Sequence, residues 1–87
     1  MSLNFPNASR SYDATRRSVR FWGHDGAFEI SFFVEQDALS RMTTGAGQDE
    51  ASALRAFDAN HERILKAAKH VYSGRRRESY TLVASDF

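Results

Sequence analysis

The sequence contains no cysteine. A disulfide framework, a thiolate nucleophile and a zinc site built on thiolates are therefore excluded, and the absence fits a reducing compartment. Proline occurs once, at Pro6, and the five glycines fall mostly in expected turns, so proline-rich and low-complexity architectures are excluded too. No apolar run approaches the roughly 20 residues that a membrane span needs. Residues 1–7 lack the basic start and continuous apolar stretch of a secretory signal, and the expected location is cytoplasmic, with no membrane partner. Reaction signatures are missing as well. No serine sits in a nucleophile-elbow context, and Gly45-Ala46-Gly47 lacks the Gly-Lys-Ser ending of a phosphate loop. His24, His61 and His70 have no useful metal-ligand spacing, and His61 falls on an apolar helical stripe as a boundary residue. The sequence thus offers no catalytic residue, no cofactor site, no metal site and no identifiable small-molecule substrate, and enzyme activity is not expected.

What is present is the composition of an ordinary globular domain: 41% hydrophobic, 26% charged and 13% aromatic over 87 residues. A chain of this size holds one core and buries about 60 to 65% of the surface that its unfolded form exposes. One α+β domain over residues 1–87 is expected, and any site should be shallow or shared between subunits.

Local patterns locate the elements. Leu3 and Phe5 supply a short alternation, read as an edge strand that runs into a loop through Pro6, Asn7, Ser9, Ser11 and Asp13. From Ser18 the strand formers Val19, Arg20, Phe21 and Trp22 lead through Gly23 and His24 to Asp25-Gly26, a favoured hairpin pair. Across Ala27 to Val34, the residues Phe28, Ile30, Phe32 and Val34 alternate with Ala27, Glu29, Ser31 and Phe33, which puts four large apolar groups on one sheet face. Glu35 to Met42 reads as a short helix and Thr43 to Gly47 as a loop. Leu54, Phe57, His61, Ile64, Leu65, Ala68, Val71 and Tyr72 then recur at spacings of three and four. They predict one long amphipathic helix from about Glu50 to Ser73, with Asp49 as its N-cap and Gly74 as its left-handed stop. Ser79 to Val83 alternates again and predicts a last strand. The fold expected is a small, mainly antiparallel sheet, a hairpin plus N- and C-terminal strands, covered on one face by the short helix and the long one.

Four segments carry a resemblance over essentially the whole chain: Leu3-Asn4-Phe5-Pro6, the pair Tyr12-Asp13, the hairpin text Val19-Arg20-Phe21-Trp22-Gly23 with Phe28-Glu29-Ile30-Ser31, and Ala56-Phe57-Asp58-Ala59-Asn60-His61-Glu62-Arg63-Ile64. In these the chain resembles a family of small bacterial proteins catalogued as domain of unknown function 1488. The resemblance is one of pattern and order. It implies an α+β domain without an established activity and brings no catalytic residue with it. It also implies a cysteine in relatives where this chain has Ser31, so thiol chemistry is not a function they all share.

Charge is segregated beneath a net value of +1. Residues 1–24 carry four arginines against one acid, residues 25–62 carry eight acids against two arginines, and residues 63–77 carry six cations and no acid. Those six are Arg63, Lys66, Lys69, Arg75, Arg76 and Arg77. Two readings stand for them. Cations near a helix C-terminus complement its dipole, at about 0.3 to 1 kcal/mol each, and the lysines and Arg63 can also bridge acids such as Glu62. Alternatively they form a nucleic-acid or anion contact, favoured because ten of the twelve cations are arginines, whose planar fork grips phosphate bidentately. The near-neutral total weighs against a dedicated nucleic-acid domain.

Trp22 and Phe33 form the other candidate surface. By strand alternation Trp22 shares a face with Arg20 and His24, and Phe33 shares one with Glu29 and Ser31, both directed away from the main core. An exposed pair would suit base stacking or a dimer interface; a covered pair would pack under the segment Arg10 to Arg17. The function expected from all of this is a noncatalytic accessory or protein-interaction module of the bacterial cytoplasm, with a protein partner or self-association. Weak nucleic-acid binding by the basic helix end is the alternative.

Overall fold

Strand formers flanking a glycine turn place a long antiparallel hairpin at the centre of the structure. The computed structural model describes residues 3–5, 10–42, 49–72 and 79–87. Strand β3 (Ser18–Asp25) pairs antiparallel with β4 (Phe28–Glu35), from Ser18 opposite Glu35 to Asp25 opposite Phe28. The turn between them consists of Gly26 and Ala27, one residue later than Asp25-Gly26, and Gly26 takes the left-handed conformation such a turn demands, with φ 61.

The other edge of β3 carries two short strands end to end. β1 (Leu3–Asn4) pairs with His24 and Asp25, and β2 (Arg10–Asp13) pairs with Ser18 to Phe21. Where the sequence predicts a loop, Arg10 to Asp13 is thus an edge strand. Gly23 is what allows the N-terminal segment to lie so close: a Cβ there would stand 2.9 Å from both Leu3 Cδ1 and Phe5 Cε1. On the far side, β5 (Ser79–Leu82) runs parallel to β4 and completes a five-stranded, mainly antiparallel sheet.

Between β4 and β5 the chain forms α1 (Gln36–Met42), α2 (Glu50–Ala59) and α3 (His61–Val71). The single long helix expected from Glu50 to Ser73 is corrected here to two helices that meet at Asn60, whose φ −114 and ψ 21 leave the helical region. Ladder bonding spans the break, because Asn60 N–H reaches the carbonyls of Ala56 and Phe57 and Ile64 N–H reaches that of Asn60, at 2.9 to 3.2 Å. The Asn60 side chain adds a bond from Nδ2 to Ala56 O at 2.9 Å, the local competition with the backbone that makes asparagine a poor interior helix residue. Asp49 does stand at the N-cap, although its carboxylate accepts from the Ser52 hydroxyl, at 2.6 Å, instead of a backbone N–H. That hydroxyl is also the main reason its pKa is lowered. α3 ends at Val71 with Tyr72 extended; Ser73 and Gly74 lie outside the described residues.

One layer of helices meets one face of the sheet. Val19, Phe21, Ile30, Phe32, Val34, Tyr80 and Leu82 from the strands join Leu39, Ala53, Ala56, Phe57, Ile64 and Ala68 from the helices in a single buried core. Rings run through it, with Phe21 and Phe32 stacked at 5.3 Å and Phe57 tilted on Phe21 at 5.3 Å. Each such ring contributes about 1.5 to 3 kcal/mol through burial. Phe28 is the exception among the four alternating apolar residues of β4: it lies at the hairpin tip and is 49% exposed. Polar contacts fix the layers. The Tyr12 hydroxyl donates to Gln36 Oε1 at 2.9 Å, the Tyr72 hydroxyl donates to Asp25 Oδ2 at 2.5 Å, and Arg10 grips Asp58 of α2 with two bonds of 2.9 and 2.8 Å. This grip raises the pKa of Arg10 and holds the Asp58 carboxyl below its ordinary value.

Candidate functional site

Strand alternation sends Arg20, Trp22 and His24 of β3, with Glu29, Ser31, Phe33 and Glu35 of β4, to the face opposite the helices. On this face Arg20 stands directly across from Phe33 and Trp22 across from Ser31. The Arg20 guanidinium lies 4.8 Å from the Trp22 ring centre and donates through Nη2 to Ser31 Oγ at 3.0 Å. Its Nε is buried and has no hydrogen-bond partner among the described residues. A guanidinium over an indole is attracted to the electron-rich face of the ring.

Phe33 is not the exposed residue that the alternation allows. It is 7% exposed, because Arg16 crosses its ring at 4.3 Å and Arg20 flanks it at 5.9 Å. The turn between β2 and β3 makes this cover. Asp13 Oδ1 accepts the Arg16 N–H at 3.1 Å, and Arg17 takes a left-handed φ of 50, which returns the chain to the sheet with Arg16 over it. Trp22 is half-buried and retains access to solvent. The strand alternation puts both rings on the face opposite the helices; it does not reveal that arginines cover Phe33 there.

The basic residues form a second region, on the helix side. Arg63, Lys66 and Lys69 are exposed on α3, and none of them makes an ion pair among the described residues, where the salt bridges are Arg10–Asp58 and Arg41–Asp37. A bridge to Glu62 is therefore not formed. Arg75, Arg76 and Arg77 lie outside the described residues. After Leu82 the chain makes a single 3₁₀ turn, Ala84–Asp86, closed by Asp86 Oδ2 accepting the Val83 N–H at 2.8 Å. This turn sets Phe87 beside α3, with the Arg63 guanidinium 5.9 Å from its ring. A groove of about 510 Å³ results, lined by Arg63, Lys66, Lys69 and His70 together with Ala67, Asp86 and Phe87.

A family model described as Protein of unknown function (DUF1488) matches residues 3–83. The chain belongs to that family. Its matched span contains the five strands and three α-helices of the described residues, including Trp22, Arg20 and the cations of α3, whereas Asp86 and Phe87 lie past it. No curated protein and no solved structure matches the chain. Among the described residues, no helix is long and apolar enough to cross a membrane, and no group of three or more histidines, cysteines and acids is placed to hold a metal ion.

Proposed function

We propose that the chain is a noncatalytic protein-interaction module of the bacterial cytoplasm that pairs with a second copy of itself through the sheet face opposite the helices. The observation that carries this reading is the Arg20–Trp22 stack, 4.8 Å apart, on a face to which no described helix packs. Tryptophan and arginine are the residue types most enriched at the energetic centres of protein interfaces. The charge on the face is self-complementary. Arg16 and Arg20 lie beside and in β3, with Asp13 next to them on β2, while Glu29 and Glu35 lie on β4. A two-fold axis between the strands would set each row against the opposite row of the partner, the arrangement an isologous dimer requires.

Sedimentation equilibrium over a wide concentration range tests the reading. The expected result is a monomer–dimer equilibrium, abolished by Arg20→Glu and by Trp22→Ala, each with an unchanged circular dichroism spectrum. A strict monomer at the highest concentration would overturn it.

A further inference from the structure

We propose that the groove between α3 and the 3₁₀ turn binds the phosphate and base of a nucleotide, either free or within a single strand of nucleic acid. The site lies on the helix side of the molecule and is independent of the pairing face.

Three observations converge on it. The cations are not neutralised by acids of the fold. Because the helix breaks at Asn60, Arg63 stands in the first turn of α3, where a cation opposes the helix dipole, so dipole compensation accounts for Lys69 but not for Arg63. Nor does any of the three make an ion pair among the described residues. Next, the groove holds a single acidic side chain, Asp86, one of whose oxygens already accepts a backbone N–H, against the cationic side chains Arg63, Lys66 and Lys69, so an entering anion meets side chains of net positive charge. Finally, that wall has an aromatic platform. Phe87 is only partly buried, and its ring lies beside Ala67 and under Arg63. Cations that grip phosphate next to a ring that stacks a base are the two elements of sequence-tolerant nucleotide recognition. The volume, about 510 Å³, lies within the range of small-molecule sites.

The test is an equilibrium titration of the whole chain at low salt with four probes: AMP, a short single-stranded oligonucleotide, inorganic phosphate and polyglutamate. Binding of AMP and the oligonucleotide, both tighter than phosphate, is expected. If the strand binds and AMP does not, the source is nucleic acid; if AMP alone binds, it is a free nucleotide. For three phosphate contacts in a strand, a tenfold rise in salt should weaken binding about 100-fold. Lys66→Glu with Lys69→Glu, both on exposed positions, should weaken binding at least about tenfold, and Phe87→Ala should weaken AMP more than phosphate. Lys66→Gln alone tests the same point without touching any packed side chain. No binding of either nucleotide probe, equal binding of polyglutamate, or affinity unchanged in the lysine variants would each overturn the proposal.

Discussion

Gly23 shows how one missing side chain shapes an edge. It is buried in the middle of β3, and a methyl group there would stand 2.9 Å from Leu3 Cδ1 and Phe5 Cε1. Both atoms are ends of side chains on a short edge segment, so the segment, not the hairpin, would give way. Gly23→Ala should cost about 1 to 3 kcal/mol, measured by urea denaturation, and should raise hydrogen exchange in residues 3–5 before it does so in β4. Phe57 tests the opposite case. It is 1% exposed against Phe21, and Phe57→Ala should cost about 3 to 5 kcal/mol through lost burial and the cavity left behind. The apolar partners of both residues were legible in the sequence as period-2 and period-3.6 patterns. The cover over Phe33 was not, since it depends on the left-handed conformation of Arg17, which no pattern of apolar residues announces.

At the scale of elements, hydrophobic periodicity located the hairpin, the short helix, the last strand and the helical stripe. It failed where periodicity carries no information. β2 has one apolar residue, Tyr12, and is held by backbone pairing with β3 and by the Arg10–Asp58 grip, which are long-range facts. The break at Asn60 is equally silent, because the stripe continues in phase from Phe57 through His61 and Ile64. Asn60→Ala should remove the bond from its side chain to Ala56 O and cost about 0.5 to 1.5 kcal/mol in thermal or chemical denaturation. The grip itself responds to pH. The Asp58 pKa is lowered first by the hydrogen bond from Arg10, so its contribution is present above the ordinary carboxylate value of about 4 and is lost as pH falls through the lowered folded value. Both groups are substantially exposed, at 34% and 52% of their side chains, which limits the pair to about 1 kcal/mol or less. Asp58→Asn should therefore be less stable than the parent near neutral pH, with the difference closing at low pH. An undiminished difference at low pH would contradict this origin.

The whole molecule is a two-layer domain with helices on one side of a sheet and a polar, arginine-bearing face on the other. A two-layer α+β fold of this kind leaves one sheet face to water or to a partner, and on that face Glu29 and Glu35 of β4 lie beside Arg20 of β3 and Arg16 of the turn that precedes it. The charge segregation legible along the chain reappears in space in altered form. Arg63, Lys66 and Lys69 do gather on one helix, yet the ring that turns them into a groove comes from Phe87, brought back by β5 and the 3₁₀ turn. Pairing through the open face would bury the Trp22–Arg20 stack and leave the groove accessible on both copies. The measurement that bears on this account most directly is sedimentation equilibrium of the parent and the Arg20→Glu variant, alone and mixed with a Glu29→Arg, Glu35→Arg variant. The expected result is a dimer for the parent, monomers for each variant alone, and dimers restored on mixing, because the reversed rows again face opposite charge. A parent that stays monomeric at every concentration, or a mixture that stays monomeric, would contradict it.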